Sequence, residues 1–223
     1  MARVRGWLIQ AWDLVGADLP LFSLAAFLTI SLSLFSFFIL AFPLTAGLCI
    51  MFLEKLQGRQ PQLSQLWEGL TNFFPATIVI WVTLMVAAVP FDLLNYYLQS
   101  RAAPWPTVGV GVVFAGLWLV ATPLFFTLPL IADRDLSGWD AIKLSWSQVR
   151  PRWPSILGCA VVSSLLLLFG VFACGFGIII TLPLVVGALV LTYRDLVGNA
   201  AWTPMTPLRE TADAEVQKPD ENE

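Results

Sequence analysis

The chain has 223 residues, 58% of them hydrophobic and only 12% charged, with a net charge of -3 and no histidine, and its mean hydropathy is +0.79. A soluble domain carries roughly twice that share of charge, so the composition is that of a membrane protein. The acidic balance comes largely from the stretch after Trp202 and leaves no basic surface for nucleic acid.

In chain order, Val4, Trp7, Leu8, Ala11 and Val15 recur at helical spacing and predict a short amphipathic helix. Asp13 and Asp18 interrupt this segment, so it does not read as a cleavable signal peptide. Residues 19 to 53 are apolar, too many for one helix to cross a hydrocarbon layer of roughly 30 Å. They predict a hairpin that turns near Ser33 to Phe37, with spans of about 18 to 34 and 37 to 56. Ala25, Thr29 and Ser33 form a stripe of small residues suited to close helix packing, with self-association as a second use.

From Gly58 to Pro75 the residues Leu63, Leu66, Trp67, Leu70, Phe73 and Phe74 mark a second amphipathic helix. An apolar stretch over 73 to 91, a loop from Asp92 to Pro106 with Arg101, Pro104 and Pro106, and a stretch over 107 to 132 carrying Gly111 and Ala115 make a second hairpin. Ser137-x-x-Asp140 is a capping box that opens a third amphipathic helix, with Trp139, Ile142, Trp146, Val149 and Trp153 on its apolar face. The apolar residues 155 to 191 form the last hairpin, with Cys174, Gly175 and Gly177 at its turn and spans of about 155 to 173 and 177 to 196. The acidic, proline-containing tail is expected to be disordered.

A threefold internal repeat organises these segments. Trp12 to Pro20, Trp67 to Pro75 and Trp146 to Pro154 share one spacing. Pro43-Leu44, Pro123-Leu124 and Pro183-Leu184 are each followed at a fixed offset by a charged pair, a leucine and a glycine: Glu54-Lys55 to Gly58, Arg134-Asp135 to Gly138, and Arg194-Asp195 to Gly198. Thr127 stands where the other two copies have Gly47 and Gly187, so the middle copy is expected to pack differently. The prolines of the Pro-Leu pairs are expected to kink their helices.

The expected fold is therefore an all-α membrane protein of six transmembrane helices in three repeated hairpins, each preceded by an interfacial amphipathic helix. The units cover 1–57, 58–137 and 138–200, and the tail covers 201–223. Basic residues gather before the first helix, in the second and fourth connections and after the last helix, with only Arg101 on the other side. That asymmetry puts both termini in the cytoplasm.

Chemistry is harder to find. Every Asp, Glu, Lys and Arg falls in a connection, at a helix end or in a tail, so the spans lack the titratable groups that mark intramembrane catalysis or ion coupling. Cys49, Cys159 and Cys174 lack metal or redox spacing and read as packing residues. The chain is read as non-enzymatic, with no cofactor and no metal. Two sets of residues stand out as candidates. Glu54, Lys55, Arg134, Asp135, Arg194 and Asp195 would form a cytoplasmic ring of charge if their three helices converged, against the plainer role of stopping helices at the headgroups. Trp67, Trp139, Trp146 and Trp153 would contact lipid or a partner protein, against the plainer role of seating each hairpin at the interface.

The Pro43-Leu-x-x-Gly47-Leu48 segment, Leu66-Trp67-x-Gly69, Pro129-Leu-Ile-x-Asp133 with Ala141 and Ser145, and Gly175-x-Gly177 to Tyr193-Arg194 resemble a group of bacterial six-helix integral membrane proteins known only as domains of unknown function. The likeness covers about residues 5 to 198 and implies an inner (cytoplasmic) membrane location and no assigned reaction. The three-hairpin plan is also that of mitochondrial carriers, but their Pro-x-acid-x-x-base signature is missing. The leading expectation is an accessory, assembly or membrane-organising subunit, with lipid, another membrane protein or a second copy as partner. The alternative is a carrier or permeation path for a neutral or hydrophobic solute or lipid.

Overall fold

The computed structural model describes residues 2–100, 116, 122–172 and 177–196. Among these residues every regular element is a helix: α1 (Ala2–Ala17), α2 (Leu19–Phe35), α3 (Ala41–Leu56), α4 (Ser64–Asn72), α5 (Phe74–Ser100), α6 (Thr127–Arg134), α7 (Gly138–Val149), α8 (Trp153–Phe172) and α9 (Gly177–Leu196), with 3-10 turns at Thr122–Leu124 and Arg150–Arg152. Two helices, over Phe74–Leu94 and Gly177–Asp195, are long and apolar enough to cross a membrane. The number rises to four if α1 with α2, bent by 99°, and α7 with α8, bent by 106°, each count as one broken span.

The bends have a local cause. Pro20, Pro75 and Pro154 each occupy the second position of the long helix that follows an amphipathic one. There the missing N–H has no intrahelical partner to lose, while the ring bars the preceding helix from running on. The Trp-x7-Pro spacing is thus the spacing from the middle of a short helix to the first turn of the next.

The helix ends follow the sequence closely around the first turn. The first turn lies at Ser36 to Leu40, and the last two helices are described over Trp153–Phe172 and Gly177–Leu196. Two expectations are corrected. The expected loop from Asp92 begins as helix, since α5 continues through Pro90 to Ser100. Leu93, Leu94, Tyr96 and Tyr97 keep the turns after Pro90 apolar or aromatic, and a single internal proline kinks a helix more readily than it ends one. The span expected over 107 to 132 is not continuous, because Pro123 sits in a 3-10 turn and α6 starts afresh at Thr127.

The repeated prolines also differ from one another. Pro43 lies in the first turn of α3, where it costs no hydrogen bond and causes no kink, whereas Pro183 is inside α9. The glycines differ too. Gly58, with φ +79°, caps α3: its N–H donates to the Lys55 carbonyl and that of Arg59 to the Glu54 carbonyl, both at 3.0 Å. In the middle copy the left-handed cap is Asp135 itself, with φ 49°. Gly138 instead lets the start of α7 lie on the Ala76 carbonyl and Val79. The expected turn at Cys174 and Gly175, the Gly111 and Ala115 stripe, Arg101 to Pro106 and the acidic tail lie outside the described residues.

Helix packing runs round the molecule. α3 lies against α4, α6 against α7, and α9 returns to α1, while α3 also touches both α6 and α9. The α3–α4 crossing is backbone to backbone: a Cβ on Gly69 would strike the Gly47 nitrogen and the Pro43 carbonyl, and one on Gly47 would lie 2.7 Å from the Leu66 carbonyl. Gly187, at the matching place in α9, faces Phe52 and Ala11. Thr127 and Ser145 are both fully buried on α6 and α7. Apolar side chains fill the centre, with Phe22, Leu44, Leu48, Met51, Phe52 and Val190 in one cluster. Phe126, Leu130, Ile131, Val149, Ile156 and Tyr193 make the second.

Candidate functional site

The amphipathic helices sort their apolar residues into two faces. Trp12, Trp67 and Trp146, which share one place in the Trp-x7-Pro spacing, are 52%, 47% and 51% exposed. The residue before each, Ala11, Leu66 and Ser145, is 0–1% exposed. Small side chains such as Ala11, Gly69, Ala141 and Ser145 let each short helix sit close on its neighbour, and the tryptophans point away from the protein. The expected single stripe is therefore divided, with Ala11, Leu66 and Ser145 turned in and Trp12, Trp67 and Trp146 beside them turned out.

The other candidate tryptophans lie with α7. Trp139 is exposed, with the Lys143 ammonium 6.0 Å from its ring centroid. Trp153 is partly buried and meets Trp146 edge to face at 6.2 Å. The Ser137 hydroxyl accepts from the Asp140 N–H at 3.3 Å, as the capping box requires, and donates to the Asp140 carboxylate at 2.8 Å. Between this cap and the start of α5 lies an open cleft of about 390 Å³, with Phe73, Val79, Asp135 and Trp139 among its walls.

The six charges at the ends of α3, α6 and α9 do not form a ring of ion pairs. Among the described residues no salt bridge joins two of the six. Lys55 turns instead to Asp18 at the α1–α2 bend, with Nζ 2.5 Å from Oδ2, and donates to the Leu14 carbonyl at 2.6 Å. Its ammonium lies 5.2 Å from the centroid of Phe22, which stacks on Phe52 at 4.4 Å. Glu54 pairs locally with Arg59 at 3.2 Å. Arg194 donates to the Leu56 carbonyl at 3.2 Å, so the last helix does reach the end of α3, through a backbone acceptor. Arg134, Asp135 and Asp195 are exposed. The expected ring gives way to separate ties because adjacent residues on a helix point about 100° apart, and only one of each pair can face a neighbour.

One polar contact between helices was not singled out from sequence. The Tyr193 hydroxyl donates to Oδ2 of Asp133 at 2.6 Å, joining α9 to α6. Asp133 and Tyr193 hold the same repeat position, one residue before the charged pair, where the first copy has Leu53. Reading that position across the copies would have found them.

Comparison with known proteins returned no matching family model, no matching curated protein and no matching solved structure.

Proposed function

We propose that this chain is a non-catalytic, multi-pass membrane protein that organises or assembles other components at the membrane, with the outward tryptophan face of α1, α4 and α7 as its contact surface. The observation that carries this reading is the shared register of Trp12, Trp67 and Trp146, each about half exposed behind a fully buried neighbour. Exposed indole rings on three short helices suit the headgroup zone of a bilayer, where an apolar ring and a polar N–H are both accommodated.

In this reading each near-perpendicular bend separates a surface helix from a crossing one, and the crossings are six, in three repeated hairpins. The closed packing order of α3 on α4, α6 on α7 and α9 on α1 favours such a repeat, because each unit's last helix meets the next unit's first. The distribution of Lys and Arg favours a cytoplasmic position for both termini, and the resemblance of the sequence to bacterial inner-membrane proteins suggests the cytoplasmic membrane of a bacterium. The apolar filling at the centre favours an organising role over a carrier, since a solute path would have to part Phe22, Phe52, Leu48 and Met51.

Native mass spectrometry of the protein, extracted gently from its own membrane, tests the reading. A stoichiometric protein partner, lost in a Trp67→Ala, Trp146→Ala variant that keeps its membrane abundance, is the expected outcome. A lone protein that carries a defined solute and moves it into liposomes would sink it.

A further inference from the structure

The tip of the first hairpin is unusually apolar and unusually self-contained. Between Asp18 and Glu54 there is no charged residue. At the turn, Phe35, Phe37 and Phe38 are 90%, 86% and 59% exposed, so the protein itself covers none of the three rings well. The turn is built like the cap at Gly58. The Phe37 N–H donates to the Leu34 carbonyl at 3.3 Å and that of Phe38 to the Ser33 carbonyl at 2.7 Å, which closes α2 in the double-bonded manner usual for glycine. Here the left-handed residues are phenylalanines, with φ 50° at Phe37 and 65° at Phe38, an unfavoured conformation for a bulky side chain that keeps both rings turned outward.

The backbone donors of the turn are all satisfied from within. Ser36 donates to the Leu32 carbonyl, Ile39 to that of Ser36 and Ala41 to that of Phe38, at 3.0–3.2 Å. The remaining N–H, of Leu40, is taken by the Ser36 hydroxyl at 3.1 Å. The two buried hydroxyls of the helix below are also spent internally, Thr29 on the Ala25 carbonyl at 2.8 Å and Ser33 on the Thr29 carbonyl at 2.5 Å. A turn in water has no need of such completeness, but one in lipid does, because an unpaired N–H there has no solvent to bond.

Length points the same way. The 17 residues of α2 rise roughly 25 Å, short of a hydrocarbon layer of roughly 30 Å. The 27 residues of α5 rise roughly 40 Å and overrun it. With the Asp18–Lys55 pair held at the near headgroups, the first hairpin ends beneath the far ones.

We infer that the Phe35–Ile39 tip stays inside the far leaflet, its aromatic rings among lipid acyl chains, so that the first hairpin shows no loop to the water beyond. The inference rests on the membrane-spanning reading proposed above and adds the depth and the occupant of this surface. Its test is a nitroxide on Phe37→Cys in the full-length protein, reconstituted into phosphatidylethanolamine and phosphatidylglycerol vesicles, with the signal of the labelled parent chain subtracted. Collision with oxygen, which concentrates in the acyl region, is compared with collision with a water-soluble nickel chelate. The expected result is oxygen access exceeding nickel access by about fivefold or more, as befits a site sealed from water. Nickel access equal to or above oxygen access overturns the inference while leaving the membrane reading in place. Protein that leaves the vesicles on an alkaline wash overturns the membrane reading itself. If Phe37→Cys does not fold, Phe35→Cys, at the last helical residue of α2, reads the same depth and is judged by the same ratio.

Discussion

Lys55 and Asp18, remote in sequence, meet with their charged atoms 2.5 Å apart where α3 ends and α1 bends into α2. The lysine is mostly buried and the aspartate about a third exposed, so the two partners are unequal. Removing the carboxylate strands a partly desolvated ammonium, whereas removing both leaves little unpaired. Asp18→Asn is expected to cost about 1–2 kcal/mol, and Lys55→Met in the same chain to restore part of it. A double-mutant cycle followed by thermal unfolding in mild detergent checks this, and additive single effects would rule out the tie.

At the α3–α4 crossing the two backbones touch, and the cost of a methyl group is steric. Gly69→Ala is expected to destabilise by about 2 kcal/mol or more, because the colliding atoms are the backbone of Gly47 and Pro43 and cannot rotate away. Gly16→Ala, in α1 with open space around it, is expected to be neutral or to stabilise by up to about 1 kcal/mol. Resistance to unfolding by sodium dodecyl sulfate, measured for the pair, should separate them clearly.

The Tyr193–Asp133 hydrogen bond is short and has a charged acceptor, the stronger kind. Tyr193→Phe keeps the ring against Phe126 and removes only the hydroxyl, so an expected loss of about 1–2 kcal/mol isolates that bond. With Asp133→Ala already present, the same change should cost little, as read from the shift in unfolding midpoint.

At the strained turn, Phe37→Gly is expected to relieve the left-handed backbone by about 1 kcal/mol in detergent, where the ring has only micelle to meet. In bilayers the gain should shrink, because the ring's burial among acyl chains is lost. Unfolding midpoints compared between micelles and bicelles give the difference, and equal gains in both would argue that the ring is not in lipid.

The sequence carried what depends on local chemistry. Proline in the first turn of α2, α5 and α8 acts on its own few residues, so the junctions at Pro20, Pro75 and Pro154 could be placed from spacing. The first hairpin turn likewise fell close to where the apolar stretch exceeds one crossing. Pairings between faces were not legible. Nothing local to Lys55 says that its partner is Asp18 rather than Asp135 or Asp195, because the choice depends on how α3 leans on the α1–α2 bend. Similarly, the apolar stripe of α4 could be counted, but not divided into Leu66, which turns in, and Trp67, which turns out. The expected loop is helix from Asp92 to Ser100 for a related reason: Pro104 and Pro106 restrict only themselves and the residue before each, and so place no break at Asp92.

The return of α9 onto α1 has a bearing on how the protein is made. A helix whose main partner lies far along the chain must wait for it, so the Ala11 face that meets Gly187 stays uncovered through most of synthesis. Such long-range closure is slow, and the half-made molecule is exposed to capture by quality control or by another copy's last helix. The joint that makes the ring complete is also the step at which its biogenesis is most easily lost.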